Sequence, residues 1–225
     1  MSLNPPKKSD CQKAWMRSRR DSKRAFQPEY HLILSEGECT EPLYFRALQN
    51  LISKNLGSLD RGQISLITPK KHIPLQNMFL EADAYIRAHP NKPIRHIWLV
   101  YDMDDVDPNL FNSTIRKCRK LSSSTERKYH ALWSNECIEL WFLLHFIPLE
   151  ANIPREQYSD KLGEHLGHPY QKEDPTLFES LLPYLDTAKK NAKTLRMRYR
   201  GSNYATMCPC TTIYELFDKL APYIK

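Results

Sequence analysis

The sequence predicts an α/β fold: a mostly parallel sheet flanked by helices, with a helical C-terminal extension. Three features carry that reading. Short apolar runs rich in β-branched and aromatic residues alternate with helix-period segments as far as Phe146. One run, Ile97-Trp98-Leu99-Val100, passes directly into aspartates at 102, 104, 105 and 107. Beyond Pro148 the pattern is helical throughout, and no Gly/Ser linker sets off a second unit. The chain therefore divides into a basic arm (1–26), an α/β core (27–147) and an extension packed on that core (148–225).

Residues 1–26 carry Lys7, Lys8, Lys13, Arg17, Arg19, Arg20, Lys23 and Arg24 against Asp10 and Asp21. Such a segment reads either as a flexible terminus or as an arm along a phosphate backbone. Residues 30–34 form a first buried strand, ended by Ser35-Glu36-Gly37. A helix opens with Thr40 as N-cap, Glu41 at the positive end of the helix dipole and Pro42 in the first turn. Leu43, Ala47, Leu48 and Leu51 share its apolar face. After a loop at 57–62 come a strand at 64–68, a helix at 74–88 with Met78, Ala82, Tyr85 and Ile86 inward, and then the acidic strand. A third helix at 108–121 turns Leu110, Phe111, Ile115 and Cys118 to its apolar side. A polar turn at 122–125 and a strand at 129–133 follow.

Asn135 is placed to cap a helix at 136–146, the most apolar of the chain. Glu139 lies within it, a charge that needs a partner, a metal or a proton. The extension offers helices at 155–166, 176–182, 184–200 and 211–220. In the third of these, Leu185, Ala188, Ala192, Leu195 and Tyr199 form a stripe, and Lys189, Lys190, Lys193, Arg196, Arg198 and Arg200 crowd the remaining surface. That surface reads as a solvated face or as a phosphate-binding one.

With 225 residues, 41% of them hydrophobic and 26% charged, the chain can bury a sizeable core. Its six glycines form no Gly-rich phosphate loop. A net charge of +7 and a pI near 9.0 favour an anionic partner, nucleic acid before membrane surface. No apolar run approaches the roughly 18 residues that cross a bilayer. The cysteines, at 11, 39, 118, 137, 208 and 210, are too scattered for a disulfide framework, and no secretory signal segment is present. The expected compartment is the reducing cytoplasm, with free thiols. Cys208-Pro209-Cys210 lacks the second ligand pair of a zinc site and reads as structural.

Residues two apart in a strand share a face, so Asp102 and Asp104 can point to one side. In an open parallel sheet, sites lie outside the carboxyl ends of the strands. Glu36, ending the first strand, is expected to converge there with Asp102 and Asp104, and Glu139 can reach the same edge. Such oxygens suit Mg²⁺ or Mn²⁺, and these metals suit phosphoryl transfer. Lys70, Lys71 and His72 are candidates to orient a phosphate. Arg17, Arg19 and Arg20 of the arm and Lys190, Lys193 and Arg196 of the basic helix are candidate nucleic-acid contacts. The ordinary readings are that Glu41 is a helix-terminus charge, Asp105 and Asp107 are loop or capping residues, and His72, His130 and His145 are hydrogen-bonded structural histidines.

The same residues carry a family resemblance. LILSEGECTEPLYFRAL resembles the first motif of Toprim-type catalytic domains of the overcoming-lysogenization-defect class, and VYDMDD their Asp-x-Asp motif. SNECIELWFLLHF is similar to the signature of RloB-like proteins, and Pro209-Cys210-Thr211-Thr212 resembles a late motif of that family. Glu136 stands where the family usually has proline, Ile138 where it has an aromatic, and Cys208 where it has asparagine. The resemblance implies a Toprim-like fold. It implies that Glu36 is metal ligand or general acid/base, Asp102 and Asp104 metal ligands, and Glu139 a further acid. It also implies a defence nuclease of anti-phage loci, acting on DNA or RNA (tRNA included), often beside an ABC-type ATPase partner called RloA. Two other readings compete: a non-catalytic nucleic-acid- or partner-binding adaptor, and a phosphohydrolase of small nucleotides.

Overall fold

The computed structural model describes residues 29–56, 64–67, 72–104 and 106–224. Among them, β1 (Tyr30–Ser35), β2 (Ile64–Ile67), β3 (Ile94–Asp102), β4 (Lys128–Asn135) and β5 (Cys210–Thr211) form one sheet in the spatial order β2-β1-β3-β4-β5. The first four strands are parallel, and β5 runs antiparallel to β4. Parallel neighbours need crossovers. They are α1 (Thr40–Leu56), α2 (Met78–Ala88, after the 3₁₀ turn Leu75–Asn77) and α3 (Pro108–Ser124). The chain leaves β1 to one side for β2, then crosses back to lay β3 on the other side. That reversal opens a crevice between the carboxyl ends of β1 and β3.

Period-two alternation sends the strands' side chains to two separate cores. Ile33, Trp98, Val100 and Leu132 face one way, while Leu32, Leu34, Ile97, Leu99, Tyr101 and Trp133 face the other. A strand buried on both faces must be apolar almost throughout, as β3 is. Met78, Phe79 and Ala82 of α2 and Phe111, Ile115 and Cys118 of α3 cover the second face. The first is covered by α1 together with α4 (Glu139–Leu143), α5 (Arg155–Leu166), α6 (Leu177–Leu181), α7 (Leu185–Met197) and α8 (Tyr214–Leu220). Leu162, Phe178, Leu195 and Phe217 thus share one apolar cluster with Ile33 and Trp98, so the extension and the core are a single packed body.

Several expectations are corrected. The buried face of α1 is Tyr44, Phe45, Leu48 and Ile52, with Leu43, Ala47 and Leu51 only half-buried beside it. The bulkier aromatics win the core because they bury more apolar area. The Cys39 carbonyl accepts from Leu43 N, so α1 already includes Thr40. α3 continues through Ser122, Ser123 and Ser124, whose hydroxyls each bond a carbonyl of its last turns or of Tyr129. Asn135 caps nothing. Its amide donates to the Ala205 carbonyl, and α4 begins at Glu139. The tail is not all-helical, because Cys210 and Thr211 add the edge strand β5. Two expectations hold closely: α5 spans Arg155–Leu166, ending on left-handed Gly167, and Asp107 caps α3 through bonds from Asn109 N and Leu110 N. The loop at 57–62 lies outside the described residues.

Candidate active site

The crevice at the strand reversal is a cleft of about 540 Å³. Among the described residues its lining includes Glu36, Glu38, Glu41, Asp102, Asp104, Asp107 and Glu139 against only His72, Arg155 and Lys172. Glu36 follows β1 directly. Its backbone is pinned from both sides, donating to Val100 O at 3.0 Å and accepting from Ile73 N at 3.1 Å. Asp102 is the last residue of β3, and Asp104 lies in the turn beyond it. Met103 N donates to Ser134 O and Glu136 O, and Asp104 N donates to Glu136 O. These bonds lock the aspartate turn against the loop that leads into α4. Asp102 and Asp104 therefore reach one cleft through a turn rather than through a shared strand face.

Each acid has a protein partner. Asp102 Oδ2 accepts from Ile138 N at 3.0 Å, and Asp104 Oδ1 lies 2.7 Å from Arg155 Nη1. Glu139, buried at the start of α4, accepts from the Tyr170 hydroxyl at 3.2 Å. Glu36 Oε1 stands 3.5 Å from His72 Nε2, and His72 N donates to Glu38 at 2.5 Å. Glu41 folds back over Gly37. A Cβ at position 37 would collide with the Glu41 carboxylate, so a larger residue there would have to displace that side chain.

Burial and mutual repulsion oppose full ionisation of this cluster. Burial holds the Asp102 carboxyl well above the aspartate range, and Glu41, Glu139 and Asp104 add to it. Burial, then Glu139 and Glu36, push Glu41 up to about 7, with Lys172 opposing. Burial raises Glu36 too, against the pull of His72.

Among the described residues, no three histidine, cysteine or carboxylate side chains stand as a ready metal cage. The donor set nevertheless fits a hard divalent cation. It consists of carboxylate oxygens, and the burial and mutual repulsion that raise Asp102 and Glu41 are what such a cation offsets.

Of the sequence-predicted site residues, Glu36, Asp102, Asp104 and Glu139 meet in the cleft, with His72 at its rim. Lys190, Lys193 and Arg196 are not part of its lining. Lys193 pairs with Asp218 at 2.7 Å, Arg196 stacks over Tyr204 and donates to Tyr199 O, and Lys190 is exposed. Arg17, Arg19, Arg20, Lys70 and Lys71 lie outside the described residues, as does Asp105.

Residues 31–220 match the family model described as RloB-like protein. The chain belongs to the RloB-like family. No curated protein and no solved structure matches it. In this RloB-like chain, the cleft residues Glu41, Arg155 and Lys172 escaped sequence reading, as did Tyr170, which bonds Glu139. Glu41 resembles an ordinary first-turn helix acid. No spacing in the sequence marks it as folding back over Gly37, which lies before the helix begins. Arg155, Tyr170 and Lys172 come from the extension, and nothing in their spacing ties them to β1 or β3.

Proposed function

We propose that this RloB-like protein is a divalent-metal-dependent nuclease, built on a Toprim-like sheet, that hydrolyses phosphodiester bonds of nucleic acid in anti-phage defence. The observation that carries the reading is the convergence of Glu36, Glu41, Asp102, Asp104 and Glu139 at the carboxyl ends of β1 and β3. Charges this costly to gather serve poorly as structure and well as a cation site. Mg²⁺ or Mn²⁺ would be held by Glu36, Glu41, Asp102, Asp104 and Glu139, and supplies Lewis-acid activation of phosphate and water.

The chain's own groups do the rest. Glu36, with its carboxyl raised by burial and His72 beside it, is suited to hold or move a proton. Tyr170 fixes the rotamer of Glu139. Lys172 sets positive charge opposite Glu41 at the cleft wall, where a phosphate would otherwise meet acids alone. The basic arm with Arg17, Arg19 and Arg20, and Lys70 and Lys71 after β2, supply cationic contacts along the strand. The defence role and an RloA-like ATPase partner rest on family resemblance. Cytoplasmic residence accords with the finding that no helix among the described residues is long and apolar enough to cross a membrane.

The test is incubation of purified protein with labelled plasmid, single-stranded DNA and total tRNA in Mg²⁺, Mn²⁺ or EDTA, beside Asp102→Asn, with and without the ATPase of its locus. Metal-dependent cleavage that falls to background in the variant is expected. Cleavage that persists in EDTA or in Asp102→Asn overturns the site, and absence of cleavage with the ATPase present overturns the activity.

A further inference from the structure

Arg155 opens α5, with Pro154 at the cap and no side-chain cap bond. An arginine in a first turn opposes the helix dipole, so its placement does not serve the helix. It serves the cleft instead. Its guanidinium meets Asp104 at 2.7 Å, while nearly half of its side chain, 46%, stays exposed. Burial works against its charge, yet Asp104, Cys137, Glu139 and Asp102 together hold it above the usual arginine range. A planar guanidinium fork suits a carboxylate and a phosphate equally well. Exposure leaves the side chain room to exchange one for the other without disturbing the core.

We propose that Arg155 is the resident counter-cation of the cleft and also its phosphate grip. It holds Asp104 while the carboxylates lack a divalent ion, and it turns to a phosphate oxygen of the nucleic acid once such an ion takes Asp104. Metal and arginine are thus competitors for one carboxylate, and metal binding frees the group that receives substrate. The inference rests on the metal-dependent reading above and adds a residue from the extension to it.

Two measurements test it. Mn²⁺ binding, followed by the electron paramagnetic resonance of the free ion, compares wild type with Arg155→Gln, Arg155→Lys and Asp102→Asn. Binding of a labelled single-stranded DNA oligonucleotide and of total tRNA in Ca²⁺ is then followed against salt. Arg155→Gln should bind Mn²⁺ roughly three- to fivefold more tightly, because a half-exposed ion pair worth up to about 1 kcal/mol no longer competes. Arg155→Lys, which keeps the charge, should stay close to wild type. The slope of log affinity on log salt should fall by about 0.7 to 0.9 in Arg155→Gln, because one phosphate is no longer neutralised. A merely structural arginine would not make the metal bind more tightly. Unchanged or weaker Mn²⁺ binding in Arg155→Gln, or an unchanged salt slope, overturns the role of Arg155. Mn²⁺ binding that is absent from wild type, or equal in Asp102→Asn, overturns the metal reading itself.

Discussion

At Asp102 the chain places a carboxylate where burial and three neighbouring acids, Glu41, Glu139 and Asp104, all disfavour its charge. Removing the ionisable group should stabilise the free protein, because folding obliges Asp102 either to carry a disfavoured charge or to take up a proton. Asp102→Asn keeps an oxygen to accept from Ile138 N and relieves the repulsion. In EDTA its Tm should rise by about 2–4 °C, the shift for roughly 1 kcal/mol in a chain of this size. Mg²⁺ should then raise the Tm of wild type and leave that of the variant unmoved. A variant less stable than wild type in EDTA would show that the cluster is not strained by its own charge. At this scale the sequence was legible where the cleft acids sit next to a strand end, at Glu36 and Asp102. It was opaque at Glu41, because a glutamate in the first turn of a helix looks the same whether it faces solvent or a buried cluster.

Among the elements, β5 is the smallest and does the most for its size. Thr212 Oγ1 accepts from Trp133 N at 2.9 Å and donates to Ala131 O at 3.2 Å, while Thr212 N donates to Trp133 O. Thr211 and Ser134 join their hydroxyls at 3.0 Å. These threonines fasten the end of the chain to β4. Thr212→Val keeps the shape and strands the buried Trp133 N–H, so it should cost about 1–3 kcal/mol in urea unfolding. No periodicity could have announced a two-residue strand; only the partner strand defines it. The early start expected for α4 fails for a related reason, since the bonds of Met103 and Asp104 to the Glu136 carbonyl hold that stretch out of the helix.

Just past α4, His145 is buried. Its Nδ1 donates to the Trp141 and Phe142 carbonyls, and its Nε2 faces no partner. Burial lowers it to about 4, with the two carbonyls opposing. The unfolded chain therefore takes up a proton near pH 6.5 that the folded chain refuses until about pH 4. Stability from this group is complete above pH 6.5 and falls as pH drops toward 4. His31 and His130, lowered by burial to about 3, act in the same sense. The raised carboxyls of Asp102, Glu41 and Glu36 act in the opposite sense, so the histidine contribution is read by difference: between pH 7 and pH 4.5 the slope of stability on pH should differ between wild type and His145→Asn, which keeps the donor, by up to about one proton.

The whole molecule is organised around the reversal of strand order, and most of that plan was readable. Alternation of apolar runs and helix periods marked β1 and α5 to within a residue at each end and located β3, which extends two or three residues beyond its apolar run at 97–100, and the aspartates after β3 marked the edge that carries the acidic cleft. What could not be read is which distant segments close over that edge, because tertiary packing leaves no short-range periodicity. The charge of the whole chain, +7, concentrates partly in residues 1–26. Deleting them should weaken nucleic-acid binding and reduce its salt slope by several units, about one for each phosphate that the arm neutralises. An unchanged slope would assign the arm no role at the phosphates.

Tyr170 reaches Glu139 from a segment that is synthesised after the entire parallel sheet. The carboxylates are thus in place early in translation, and the groups that orient and balance them arrive late. A nascent chain that has emerged only as far as β4 and α4 presents these acids without Arg155, Tyr170 and Lys172.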